Sequence, residues 1–387
     1  MNDTSIDYQI CTRCVMDVSD PQITFDQEGV CNHCRHYDEL VQTNPQLTSA
    51  GPEILAAKVQ RIKADGAGKP YDCVIGVSGG VDSTFVAWKV KSLGLRPLAV
   101  HVDNGWNSEI AVSNISTILS KLNIDLYTVV LDWEEFKDIQ IAFLRASTPD
   151  AEVPSDHAIF ASLYLEAQRL GIRHVITGLN MRTETHLPKA WSQGHVDWGY
   201  LKAIHKKYGK HPIKTFPHFN FYQFITNFRH SQETLNILDY VDYSKKEALK
   251  FLQAELGWRD YGGKHFENVY TRWYQGFYLP RKFGFDKRRS HLSSRICSNE
   301  LTREFALKEL KTETYDTRLQ QQDCDYVMKK FGLSPAEFDV IMSAPPRRFE
   351  DFPSYAKLRT KPLFVVMLRL YQVAKLGVFR RARQESA

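Results

Sequence analysis

Nowhere in this chain does the Walker A spacing G-x-x-x-x-G-K-[ST] occur, which excludes the commonest phosphate-binding loop. Uncharged membrane-length runs are also missing. Pro362–Phe379 is apolar in part but carries Arg369 and Lys375, so it is not expected to span a bilayer. The first ten residues are polar and lack an apolar core, so no secretory signal is expected. Neither sign of charge dominates: 50 Lys and Arg against 45 Asp and Glu leave +5, which argues neither for nor against a nucleic-acid partner. Asn2 stands where an amino-terminal-nucleophile glutaminase would need Cys. What is there is ordinary for a soluble, cytoplasmic enzyme of two or three domains: 387 residues, 43% hydrophobic and 25% charged.

Cysteine is sparse but patterned. Four of the seven cysteines form Cys11-Thr-Arg-Cys14 and Cys31-Asn-His-Cys34, with sixteen residues between the pairs. Two such knuckles can bring four thiolates around one zinc ion with no open position, which makes a structural ribbon. A redox CxxC does not explain the repetition, and an iron–sulfur cluster is the lesser option. His33 and His36 read as surface residues beside a complete cysteine set. Cys73, Cys297 and Cys324 stand alone and read as buried structural thiols. The ribbon is expected to end near Leu40, with a polar linker over Gln42–Gly51.

The apolar run Cys73–Val77 leads into Ser78-Gly79-Gly80-Val81-Asp82-Ser83, and a helical pattern follows from near Thr84 to a stop at Gly94. Glycines let the backbone approach an anion, helix-start amides attract negative charge, and Asp82 is placed to hold magnesium against phosphate oxygens. Strand and helix patterns then alternate: Pro97–Val102, Ile110–Leu122, Leu126–Leu131, Ile159–Leu170 and His174–Thr177. This rhythm predicts a doubly wound parallel sheet with its ligand at the carboxyl ends of the strands. Asp103, Gly178, Asn180 and Glu184 sit at such ends and become ATP or magnesium candidates. Asp103 reads equally as a turn residue, and Glu184 as a helix-surface acid. The loop resembles the SGGxDS signature of the PP-loop ATP pyrophosphatases. That resemblance implies an adenine nucleotide alpha hydrolase-like fold, ATP and Mg2+, and release of pyrophosphate after attack on the α-phosphate.

Further on, Tyr270, Trp273, Tyr274, Phe277 and Tyr278 share one helix face and read as core. Gly262-Gly263-Lys264-His265 and the basic stretch Arg281–Arg289 surround them. Five basic residues in nine positions can bind a diphosphate, or equally form a solvated face. The segments YSKKEALKFL, YGGKHFE, YTRWYQGFYLPRKFGFDKRRSHLS and TREFAL resemble the N-acetyl sugar amidotransferase family of surface-polysaccharide and LPS biosynthesis. The resemblance spans roughly residues 8 to 312. It implies a synthetase that converts an acetamido group of a UDP-linked sugar to an acetamidino group. It also implies a separate glutaminase and an ammonia-channel barrel subunit, similar to the parts of imidazole glycerol phosphate synthase. Lys264, Lys282, Lys287 and Arg288 become catalytic candidates with Asp82, and His265 and Arg272 become substrate candidates.

The expected organisation is a zinc ribbon with linker over 1–48, an ATP-binding domain over 49–235 and a mainly helical substrate or partner region over 236–387. A tRNA-thiolating enzyme is the main rival, since some of these also join cysteine zinc motifs to a PP-loop. It would be expected to carry a further cysteine pair, and no nucleic-acid partner is expected here. A regulatory or scaffolding nucleotide binder is the third reading. The basic, partly apolar tail from Ala356 is expected to pack as a terminal helix, touch a membrane surface or dock a partner.

Overall fold

The computed structural model describes residues 8–221, 223, 232–263 and 266–359. The amino end turns twice around the paired cysteines and enters α1 (Asn32–Thr43). A single 3-10 turn at Pro45–Leu47 interrupts the expected linker, and α2 (Gly51–Asp65) carries the chain to a five-stranded sheet. Its strands are β1 (Cys73–Gly76), β2 (Pro97–Asp103), β3 (Asp125–Val130), β4 (His174–Thr177) and β5 (Glu233–Asn236). All pairings are parallel and the order is β3-β2-β1-β4-β5.

Central β1 is apolar throughout because both of its faces are covered. Val74 packs with Ala161, Leu163 and Tyr164 of α6 (Val153–Arg169). Cys73 and Ile75 pack on the other face with Leu55 and Val59 of α2, Val86 and Val90 of α3 (Val81–Ser92), and Ile115 of α4 (Glu109–Leu122). The sheet is therefore doubly wound, as the alternating pattern predicts. Its strand order reverses between β1 and β4, which opens a crevice at their carboxyl ends.

Local signals set most boundaries. Ser108 Oγ accepts from the Ala111 amide at the start of α4, and Asn123 closes that helix in the left-handed conformation. α3 begins at Val81, earlier than the periodicity suggests, because extended Gly80 serves as its N-cap. α6 starts at Val153, six residues before the expected Ile159, with Pro154 in its first turn. Besides α1 and α2, three helices were not foreseen from the sequence: α5 (Trp133–Ala146), capped by Asp132, the short α7 (Met181–Glu184) and α8 (Trp198–Tyr208). β5 has no local signature and exists by pairing with β4.

The rest is helical, as expected. α9 (Lys245–Leu256) packs on α3, with the Trp88 and Phe251 rings 4.5 Å apart. α10 (Val269–Trp273) continues through a π-turn at Tyr274–Tyr278 into α11 (Leu279–Phe283), and all five aromatics of the predicted face are buried. Tyr274 Oη accepts from the Ala151 amide at 2.7 Å and donates to the Pro149 carbonyl at 2.6 Å, fixing the loop before α6.

α12 (Arg288–Cys297) and α13 (Arg303–Glu309) pack on the cysteine knuckles. Arg303 donates to the carbonyls of Cys11 and Cys14 at 2.8 and 2.9 Å, and Arg289 pairs with Asp17 at 3.0 Å. α14 (Thr317–Phe331) and α15 (Pro335–Ser343) follow, the latter with a capping box between Ser334 and Glu337. The last described helix is α16 (Tyr355–Arg359). The expected tail readings fall on residues 360–387, outside the described residues. No described helix is long and apolar enough to cross a membrane.

Candidate functional site

The four paired cysteines converge with no solvent exposure. Cys11 Sγ lies 3.9 Å from Cys34 Sγ, and Cys31 Sγ lies 3.7 Å from both Cys14 Sγ and Cys34 Sγ. A disulfide would require about 2 Å, whereas a tetrahedral Zn–S length near 2.3 Å gives edges of about 3.8 Å. The amides of Cys14 and Cys31 point at Cys11 Sγ at 3.4 and 3.3 Å, a donor set that suits a thiolate. Cys11, Cys14, Cys31 and Cys34 thus fit a structural zinc ion.

Ser78–Ser83 forms the turn from β1 to α3. Ser83 Oγ gathers the loop: it accepts from the Ser78 amide at 3.2 Å, meets Ser78 Oγ at 3.1 Å and donates to the Gly80 carbonyl at 3.2 Å. Gly79 adopts φ +79°, and a Cβ there would stand 2.5 Å from the Ala111 carbonyl oxygen. Only glycine fits. Gly178 abuts the first turn of α3, where a Cβ would lie 3.5 Å from the Asp82 carbonyl carbon. Asn180 is buried; its side-chain oxygen accepts from the Arg182 amide at 2.9 Å, while its Nδ2 donor has no partner. A buried orphan amide donor at a strand-end crevice is the kind of group a nucleotide satisfies. Glu184 Oε2 accepts from the Asn180 amide at 3.4 Å, and Asp103 accepts from the Gly105 amide at 2.9 Å, the turn role that was its other reading.

Around this loop the fold gathers residues that the strand-end argument missed. Tyr243 Oη donates to Asp82 Oδ1, and Lys245 Nζ lies 3.6 Å from Asp82 Oδ2. Burial, followed by the nearby Asp82 carboxylate, raises the Tyr243 hydroxyl above its ordinary pKa; Glu300 and Glu184 add to this. Trp258 Nε1 donates to the Gly79 carbonyl at 2.9 Å. A Cβ on Gly80 would lie 3.4 Å from Tyr261 Oη and 3.8 Å from Glu267 Oε1. Lys264 and His265 lie outside the described residues, although Tyr261 and Glu267 on either side of them stand against the phosphate loop. Lys245 belongs to the YSKKEALKFL segment, which was the one sequence signal for it.

A cavity of about 490 Å³ is lined in part by Tyr37, Arg182, Tyr243, Cys297 and Glu300; of these Tyr243 is the residue that also bonds Asp82. Cys297 is not a solitary structural thiol: its Sγ lies 3.7 Å from Cys34 Sγ and 3.5 Å from His186 Nε2. Cys73 and Cys324 are buried, as read from the sequence.

The basic stretch has partners other than phosphate. Lys282 donates to the carbonyls of Ile341, Met342 and Ala344 at the end of α15, with its pKa pushed down to about 8 by burial. Arg288 pairs with Asp286 and donates to the carbonyls of Glu309, Thr312 and Glu313. Lys287 is buried against Glu152 at 3.1 Å. Arg272 makes a two-bond pair with Asp323 at 2.7 and 2.8 Å. Lys282, Lys287 and Arg288 thus hold internal partners in this structure, a row of helix-end carbonyls or a carboxylate, whereas Arg281 is exposed and stacks on the Phe277 ring at 3.8 Å. Lys287 sits in a further buried charge cluster: Asp150 meets His195 at 2.8 Å and Ser192 at 2.7 Å.

A doubly wound parallel sheet whose β1–α3 turn carries SGGVDS is the arrangement that the PP-loop resemblance implies. Residues 267–365 match the family described as LPS biosynthesis protein WbpG-like, C-terminal domain, which supports the N-acetyl sugar amidotransferase resemblance. Curated relatives include the tRNA-specific 2-thiouridylase MnmA from two Coxiella burnetii strains, Dugway 5J108-111 and RSA 493 / Nine Mile phase I. Each is 28% identical over 153 residues, which cover 35% of this chain and 42% of the relative. The chain therefore spans about two fifths of the length of the curated relatives it matches. Among solved structures, NMN synthetase from Francisella tularensis matches at TM-score 0.35 and 15% identity, covering 73% of this chain and 97% of that one. NH3-dependent NAD synthetase from Campylobacter jejuni matches at 0.32 and 15%, covering 74% and 96%. These likenesses are slight.

Proposed function

We propose that this chain is the synthetase component of an ATP-dependent amidotransferase in LPS or surface-glycan biosynthesis. In this reading it converts an acetamido group of a UDP-linked sugar to an acetamidino group. The observation that carries the reading is the SGGVDS loop at the sheet's switch point in a chain whose residues 267–365 match a WbpG-like carboxyl domain.

An amide carbonyl is too poor an electrophile for ammonia. Its oxygen attacks the α-phosphorus of ATP, the bond to the β-phosphate oxygen breaks, and pyrophosphate leaves. Ammonia adds to the carbon of the O-adenylyl imidate, the C–O bond breaks, AMP carries the oxygen away, and an amidine remains. Ser78, Gly79, Gly80 and Ser83 hold the phosphates with hydroxyls and amides at the start of α3. Lys245 supplies positive charge next to the loop, and Asn180 Nδ2 a donor at its rim. Asp82 and, further out, Glu184 would hold magnesium, which neutralises charge on the phosphate oxygens when bound. Ammonia comes from a separate glutaminase through a barrel subunit.

Mass spectrometry of UDP-acetamido sugars incubated with ATP and labelled ammonium tests this. Replacement of one oxygen by a labelled NH group, with AMP and pyrophosphate formed, is the expected result. The MnmA relatives favour a second reading, tRNA thiolation, in which cations of the basic stretch would contact RNA phosphates. Sulfur entering tRNA in place of nitrogen entering sugar would decide for it.

A further inference from the structure

Cys34 belongs to two clusters. It completes the set with Cys11, Cys14 and Cys31, and it also forms a buried triad with His186 and Cys297 whose ligand atoms lie within 4.8 Å of one another. The spacings in that triad are those of a metal polyhedron. Bond lengths near 2.3 Å to sulfur and 2.0–2.1 Å to imidazole give tetrahedral edges of about 3.8 Å for S···S and about 3.5 Å for S···N. The observed values are 3.7 Å for Cys34–Cys297 and 3.5 Å for Cys297–His186. The imidazole is also oriented as a ligand. His186 Nδ1 lies 3.0 Å from Ser294 Oγ, so donation there leaves the Nε2 lone pair facing Cys297. An oxygen acceptor on the far nitrogen is the usual support of a metal-bound histidine. Ser294 Oγ also accepts from the His186 amide at 3.2 Å, which locks the pair together.

We propose that the chain holds a second zinc ion, bound by Cys34 as a bridging thiolate, by Cys297 and by His186, with a fourth position for an exchangeable ligand. Three protein ligands leave one position open, the mark of a zinc site that works on small molecules and not only on folding. Cys34 and His186 have no exposure, while Cys297 lines the cavity shared with Tyr243, so solvent or a substrate oxygen or nitrogen reaches the ion from there. The competing arrangement is one zinc ion in the four-cysteine site, with the Cys297 thiol merely donating to the Cys34 thiolate.

Metal analysis of the full chain, purified anaerobically, separates the two. Two zinc ions per chain are expected for the wild type and one for Cys297→Ala and for His186→Gln. Cobalt substitution gives a readout that needs no variant. A thiolate bridge couples the two ions, so the electron paramagnetic resonance signal of the first cobalt equivalent should shrink as the second binds. In Cys297→Ala it should stop at one equivalent, without loss. One zinc per chain in the wild type, two that survive Cys297→Ala, uncoupled cobalt signals, or iron with acid-labile sulfide would each overturn the proposal.

Discussion

Replacing Gly79 by Ala puts the phosphate loop to a direct test. Two costs follow from the structure. An L-residue at φ +79° costs about 1–2 kcal/mol in backbone conformation. The new methyl would stand 2.5 Å from the Ala111 carbonyl oxygen, 3.0 Å from its carbon and 3.1 Å from its Cα, all backbone of a fully buried residue in the first turn of α4. Neither side can yield cheaply, so the loop must shift by roughly 1 Å. A shift of that size also loosens the Trp258 bond to the Gly79 carbonyl, worth about 1 kcal/mol. The total is about 3 kcal/mol, or roughly 4 °C in midpoint for a chain of 387 residues. Pyrophosphate release should fall at least about 30-fold, since a misplacement near 1 Å in a positioning loop can cost about a hundredfold. Gly68→Ala is the control. Gly68 has φ +75° with nothing within 4 Å of its Cβ, so it carries the conformational cost without the collision. Its stability should drop by about 1–2 kcal/mol with unchanged turnover. Thermal unfolding and coupled pyrophosphate assays read both quantities. If Gly79→Ala matched Gly68→Ala in midpoint and kept turnover within twofold, the loop would not be the phosphate site.

Asp82→Asn and Lys245→Met should keep the fold and lower pyrophosphate release about 100- to 1000-fold, the typical cost of losing one preorganised electrostatic group; normal turnover in both would move the chemistry elsewhere. Lys282→Ala should behave as a structural change, because Lys282 binds the end carbonyls of α15: about 1–3 kcal/mol less stable, with KM for ATP unaltered. A rise in KM without loss of stability would return Lys282 to the active site. Burial by itself would lower the pKa of His195, but Asp150 at 2.8 Å more than offsets this and raises it to about 9. A histidine whose folded pKa is raised stabilises fully below about 6.5, and that contribution is lost as pH rises to about 9. Urea unfolding of the wild type should therefore weaken between pH 6.5 and 9, and His195→Gln should flatten that slope; an unchanged slope refutes the pairing.

Local patterns carried far in this protein. The CxxC pairs, the SGGVDS turn and the β1-to-β4 alternation are each written within a few residues, because metal knuckles, phosphate loops and helix or strand periodicity depend on near neighbours along the chain. Where the pattern was less regular, boundaries slipped, as at the proline-started α6, and β5 escaped notice because only pairing with β4 makes it a strand. The basic stretch shows the other limit. Lys282, Lys287 and Arg288 display their charge in the sequence, but their partners Ile341, Glu152 and Thr312 come from other parts of the chain, and those partners decide whether a cation is free for a phosphate. Likewise Tyr243 and Lys245 reach Asp82 across about 160 residues, and Cys297 reaches Cys34 across 263. By itself the sequence determined the chemistry on offer: four paired thiolates, a phosphate loop and a doubly wound sheet. Which cations are spent on scaffolding, and which cysteine joins the metal cluster, only the tertiary structure decided, because burial and ion pairing depend on distances in space that no spacing along the chain records.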